Sequence, residues 1–271
     1  MTAVPVDTRR AAPDTLVGEA RIGPVVLQLA RRSVVLITRL PSAFIPSVVF
    51  PIFLILAFSG SFNGLRNANA FDNAMSWYAP LAVIQGSAFV GVGAGFSATR
   101  EIESGFYDRL LLAPTPGVAL LLGPALATIV RVIVPLVTVI VVALIGGAAV
   151  PGGVLGVATL TVAAMGTALI HAFWCLGLAF RLKSQRAAPV MQIGVFVTNF
   201  LATAQVPLHL MTGWLHSVAR VNPMTNVFRL GRAGWVEDVR WDNCWGGLVA
   251  LAVFIALSFW FARRGLRHMV P

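Results

Sequence analysis

The sequence predicts an all-α, polytopic membrane protein with six transmembrane helices behind an N-terminal amphipathic helix. Three observations carry that prediction. Of 271 residues, 58% are hydrophobic and only 11% charged, where soluble domains carry about 25% charge. The mean hydropathy is +0.84. The apolar residues also gather in runs of roughly 18 or more, the length a helix needs to cross a hydrocarbon core about 30 Å thick at 1.5 Å per residue.

The elements follow in order. Residues 1–21 read as a flexible cytoplasmic N-terminus, with arginines and no isolated apolar core, so nothing resembles a cleavable signal peptide. Residues 22–41 contain "GPVVLQLARRSVVLITRL". At 100° per residue, Gln28, Arg31, Arg32, Thr38 and Arg39 fall on one arc, with valines, leucines and isoleucine filling much of the rest. That pattern predicts a helix lying in the inner interface, with Arg31, Arg32 and Arg39 toward lipid headgroups. Residues 42–271 form one six-span domain. The spans are predicted at 43–62, at 75–99, at a tract ending near 150, and at 154–180, 187–210 and 244–262. Cys175 and Cys244 lack CxxC spacing and read as packing residues.

Basic residues set the orientation. Arg9, Arg10, Arg21, Arg31, Arg32, Arg39, Arg100, Arg109, Arg181, Lys183, Arg186, Arg263, Arg264 and Arg267 share one side; Arg66, Arg220, Arg229, Arg232 and Arg240 lie on the other. The positive-inside rule puts both termini in the cytoplasm. The net charge of +10 then reads as a topology signal plus attraction to anionic membrane lipids. No aromatic-interleaved basic patch suggests nucleic acid. Arginine almost everywhere a lysine could serve hints at a GC-rich bacterial genome.

The segment "REIESGFYDRLLLAPTP", about residues 100–116, is the most polar interruption in the apolar tract. Thr99, Glu101 and Glu103 suit a helix start. Gly105 allows a bend, and Pro114 and Pro116 stop the segment. Phe106, Tyr107, Leu110, Leu111 and Leu112 are apolar beside the cytosol, rimmed by charge. Two readings fit: a docking surface, or a re-entrant turn that packs its own leucines beneath the bundle.

With these features in place, the chain resembles the membrane subunit of a type-2 ABC exporter of the daunorubicin-resistance kind. The resemblance spans about residues 22–265. It rests on the interfacial helix, the six spans, "REIESGFYDRLLLAPTPGVALLLGPALA" and "PLHLMTGWLHSVARVNPMTNVFRLGRAGW". Glu103, Gly105, Asp108, Arg109, Leu110, Leu111 and Pro114 match the family's Glu-x-Gly loop, while Phe106 stands where many members have Thr. The resemblance implies that this loop is a coupling helix inserted into a groove of a cytosolic ABC ATPase. Glu101, Glu103, Gly105, Tyr107, Asp108, Arg109, Leu111 and Pro114 would contribute, with Glu103 paired to a basic residue and Tyr107 and Leu111 filling the groove. It further implies a second permease copy or paralogue, location in the cytoplasmic (inner) membrane, and an outer re-entrant hairpin over about 207–243. Trp214, Asn222 and Pro223 would form its gate.

No chemistry of its own is expected. There is no GxxxxGK[ST], so ATP and magnesium would belong to the partner, and this chain would bind no cofactor. "GVGAG" lies inside a span; its Gly91 and Gly95 suit either packing within the chain or a dimer contact. The histidines form no HExxH, so no metal site is expected. No GxSxG elbow supports a hydrolase. Every acid falls outside the predicted spans, which argues against an ion-coupled secondary transporter.

Phe53, Gln85, Phe89, Gln192, Phe196, Asn199 and Phe200 are candidates for a substrate path, since mixed aromatic and amide linings suit amphipathic drug-like or lipid-like molecules. The amides could instead bond helix to helix. Polysaccharide or glycolipid export ranks below, for want of a richer aromatic track. Arg131 is expected at the inner interface, snorkelling, if its span starts at residue 132. A helix starting near Gly117 would bury it instead.

Overall fold

The computed structural model describes residues 22–38, 41–62, 73–112, 116–236 and 238–269, with backbone alone at 36–38, 41–44 and 62. The N-terminal segment 1–21, Arg39 and Pro114 lie outside the described residues. Among the described residues the regular elements are helical: α1 (Ile22–Thr38), α2 (Pro41–Phe62), α3 (Ala74–Glu103), α4 (Phe106–Leu112), α5 (Ala119–Ile145) and α6 (Gly153–Leu182). They continue with α7 (Ala188–Phe200), α8 (Gly213–Val221), α9 (Met224–Arg232) and α10 (Trp241–Arg267). Short 3₁₀ turns sit at Gln185–Ala187 and Leu208–Leu210. The fold is an all-α polytopic membrane bundle. Helices α3, α5, α6 and α10 are long and apolar enough to cross a membrane, and α2 adds a shorter apolar stretch, Ile45–Ser61.

Helix α3 is the axis of the bundle, packed by α2, α5, α6, α7 and α9. Its small residues make that crowding possible. A Cβ on Gly91 would fall 2.6 Å from the Ala168 carbonyl oxygen, and one on Gly95 would fall 2.5 Å from Cys175 Cβ, both in α6. The glycine pair therefore packs within the chain. A Cβ on Gly86 would meet Pro51 of α2 at 2.7 Å and Pro135 of α5 at 3.2 Å. Asn73 caps α3 through Met75 N at 2.8 Å, and its Nδ2 donates to the Gly147 carbonyl at 2.8 Å. This joins the start of α3 to the α5–α6 turn. Cys175 and Cys244 are buried free thiols.

The predicted amphipathic N-terminal helix forms as α1 and rests on α5, where Gly123 leaves space for Leu29. Two other expectations change. The fifth predicted span is a 13-residue helix, α7, about 20 Å long at 1.5 Å per residue. Beyond Phe200 the chain turns irregular, and the Thr203 and Ala204 carbonyls accept from the Arg232 guanidinium at 2.5 and 2.6 Å. In a continued helix Pro207 would have no N–H to give the Thr203 carbonyl, and the Arg232 guanidinium supplies the donor instead. The helix that carries Arg131 does not start at residue 132: α5 begins at Ala119, placing Arg131 about 18 Å into it. It is 6% exposed, with Nε donating to the Ala127 carbonyl at 3.0 Å.

Candidate coupling surface and transport path

Helix α3 continues through Thr99 rather than restarting there. The Thr99 hydroxyl bonds back to the Phe96 carbonyl at 2.9 Å, so it is not a cap. The break comes at Ser104 and Gly105, whose φ of +71° makes the predicted bend. Helix α4 then presents two faces. Tyr107 is 2% exposed and belongs to a buried cluster with Ala98, Leu121 and Phe180, its ring 5.5 Å from that of Phe180. Burial pushes the Tyr107 phenol up. Leu110 and Leu111 are partly buried against the same cluster. Spacings of three and four residues place these three side chains on one helix face.

Asp108, Arg109 and Leu112 face outward, Leu112 being 88% exposed. Tyr107 is therefore not available to fill a partner's groove, and the exposed apolar residue is Leu112 rather than Leu111. Leucines packed under the bundle describe the inner face of α4, while its outer face is exposed and carries charge.

Two acids fasten this elbow. Arg32 Nη1 of α1 donates to Glu101 Oε1 at 2.5 Å, and the Arg32 guanidinium lies 3.8 Å over the Phe106 ring. Arg31 is exposed, and Arg32 makes this clamp. Glu103, fully open to solvent, accepts from the Gln185 backbone N–H at 2.9 Å. The α3–α4 elbow is thereby tied to the loop preceding α7. Sequence spacing could not pair Arg32 with Glu101, which stand 69 positions apart.

From this elbow a cleft of about 560 Å³ runs between α2, α3 and the start of α7, past Arg32, Glu101, Ser97 and Gln192 to Phe89. At Phe89 it meets an aromatic cluster. Phe89, Phe196 and Phe50 lie 5.3–6.0 Å apart by ring centroid, and Phe200 is 5.6 Å from Phe196. One turn of α3 beyond Phe89, the buried Asn199 Nδ2 donates to Gln85 Oε1 at 3.0 Å. Gln85 Nε2 and Asn199 Oδ1 have no partner among the described residues. Phe53 is 61% exposed and does not line the cleft. Phe50, three residues earlier in the same apolar run, takes its place in the cluster. The helical period allows both, and only packing chooses.

At the opposite end, α8 and α9 form the hairpin. Asn222 and Pro223 make the turn: Asn222 Oδ1 accepts from Met224 N at 2.9 Å, and Nδ2 donates to the Thr198 carbonyl at the same distance. Helix α9 is buried against α6 and α10. Trp214 is 70% exposed on α8. Arg232 ends α9, buried, with its guanidinium 3.8 Å from the Trp77 ring centroid. No cluster of three His, Cys, Asp or Glu residues suited to a metal occurs among the described residues.

Compared with known proteins, residues 24–235 match the family described as ABC-2 type transporter. The chain is 26% identical over 203 residues to the daunorubicin resistance ABC transporter permease protein DrrB1 of Streptomyces coeruleorubidus. That alignment covers 74% of this chain and 71% of the relative.

Proposed function

The chain belongs to the ABC-2 type transporter family, and from that premise we propose that it is the permease subunit of an ATP-driven exporter that moves an amphipathic drug-like or lipid-like molecule out of the cell. The observation that carries the proposal is the cleft joining the α3–α4 elbow to the Phe50–Phe89–Phe196 cluster. Movement of the elbow would bear directly on the walls of that cleft. Its mixed lining suits a molecule with an apolar body and a few polar groups. Gln192, Ser97 and Glu101 supply polar groups of that lining.

The energy would come from a separate cytosolic ABC ATPase holding ATP and magnesium. Asp108, Arg109 and Leu112 would dock on it, while Tyr107 and Arg32 hold α4 to the bundle. A second permease copy would complete the path in the inner membrane, with both termini cytoplasmic. Trp214, exposed on α8, and the Asn222–Pro223 turn would belong to the outer gate.

The test is reconstitution with the cognate ATPase in liposomes, measuring ATP-dependent movement of a fluorescent amphipathic drug such as an anthracycline. Phe196→Ala should weaken that movement while leaving the ATPase bound. Equal movement with and without ATP would sink the proposal.

A further inference from the structure

A second cavity, of about 600 Å³, lies among α6, α7, α10 and the α8–α9 turn and shares no lining residue with the cleft. Its size falls within the range of sites for small organic ligands. The wall is mostly apolar: Ile170, Val197, Val218, Met224 and Phe254 contribute, with Val221, 81% exposed, at the edge. In such a wall each polar atom and its partners matter, because an unpaired buried polar group is costly.

His171 is that feature. It lines the cavity yet is only 3% exposed. Its Nδ1 sits 2.8 Å from the Thr167 carbonyl. A carbonyl only accepts, so Nδ1 carries the proton. A neutral imidazole has one N–H, and no carboxylate lines the cavity to favour a charged ring. Nε2 is therefore an acceptor. Its neighbour is the Thr198 hydroxyl at 3.4 Å, a long contact. That hydroxyl has one proton, and the Gly194 carbonyl at 2.8 Å and the Val195 carbonyl at 3.1 Å both lie closer to it than Nε2 does. The Nε2 lone pair is thus left without a good donor among the described residues. Asn222 nearby gives one N–H to Thr198 O and accepts from Met224 N, and it makes no hydrogen bond to His171 among the described residues.

We propose that this cavity binds a membrane-soluble alcohol taken from the bilayer, its hydroxyl donating to His171 Nε2 and its apolar body lying along Val197, Val218 and Phe254. An acceptor-only anchor makes the site selective. An ether cannot donate, and a carboxylate would set its own lone pairs against that of Nε2. This site is separate from the proposed export cleft and needs no nucleotide.

The experiment uses the full-length chain with its ATPase in nanodiscs. The probes are a diazirine-bearing hexadecanol, its methyl ether and the corresponding acid, with cross-linked peptides mapped by mass spectrometry. The alcohol should label residues around 197–201 and 218–224 about tenfold more than the ether or acid, the scale of one buried hydrogen bond lost. His171→Phe should level the three probes, whereas Thr198→Val should keep the preference. Equal labelling by alcohol and ether in the parent protein overturns the proposal, whatever the variants do. If ATP drives the bound alcohol across the bilayer, the occupant is cargo. If ATP leaves it in place, the occupant is a resident lipid; the labelling preference supports the site in both cases. Failure of anthracycline export would count against the proposed function and not against this site.

Discussion

Arg32 of α1 donates to Glu101 of α3 at 2.5 Å, and the same guanidinium stacks on Phe106 of α4. One side chain of α1 thus touches two further helices, where the N-terminal helix, the central helix and the exposed elbow meet. Arg32 is 39% exposed and Glu101 15%, so the ion pair contributes about 1 kcal/mol or less to stability. Its larger consequence is geometric. With the clamp closed, α4 is in contact with α1 through Phe106 and Arg32.

The first prediction concerns that clamp. Arg32→Ala should leave the complex assembled but lower the drug exported per ATP hydrolysed, and Arg32→Lys should fall between, because an ammonium lacks the planar stack. An unchanged ratio in liposomes would show that α1 takes no part in transmission.

The two faces of α4 should separate in mutagenesis. Leu112→Asp alters an 88% exposed residue and should reduce co-purification with the ATPase without lowering the permease's melting temperature. Tyr107→Ala removes a ring from the buried cluster and should cost roughly 3–5 kcal/mol of stability. If Leu112→Asp melts early and Tyr107→Ala does not, the faces have been assigned the wrong way round.

Arg131 is buried in α5 with its Nη1 unpartnered among the described residues. Replacing such a charge by an apolar side chain of similar length removes a desolvation penalty. Arg131→Met should therefore stabilise the purified permease by about 1–4 kcal/mol. A drop in melting temperature instead would reveal an anionic partner for Arg131 in the assembled protein.

Arg232 supports the irregular segment after α7 with two hydrogen bonds to carbonyls and a stack on Trp77. Arg232→Met orphans both carbonyls, a loss of about 1–3 kcal/mol each. Faster hydrogen exchange should appear at residues 201–207. Lysine should rescue only in part, since it cannot reach both oxygens with a fixed fork. Exchange at the parent rate in Arg232→Met would mean the segment holds its shape by other means.

Gly91→Val would drive a side chain into the Ala168 backbone of α6. Overpacking of this kind costs typically 1–3 kcal/mol, so the monomer itself should melt lower in detergent. A variant that melts normally but loses self-association would place the Gly91–Gly95 stripe at a dimer contact instead.

The sequence alone determined the all-α class and the approximate places of the long apolar helices, because apolar run length and helical period are local properties of the chain. It also marked the bend at Gly105 in the 100–116 loop, where a positive φ needs no Cβ. The family pattern in that loop was legible for the same reason: its residues are consecutive. Tertiary structure alone decided which face of each helix meets which neighbour. Phe50 rather than Phe53 enters the aromatic cluster, Tyr107 turns inward while Leu112 turns out, and Arg32 closes on Glu101 across 69 positions. The break after α7 is partly local and partly tertiary. Pro207 has no N–H to offer the Thr203 carbonyl in a continued helix, and Arg232, 28 and 29 positions away, supplies the donors that the Ala204 and Thr203 carbonyls find instead. A hydrophobic pattern specifies what must leave water; it does not specify the partner each group finds there, because that choice is made by packing among residues distant in the chain.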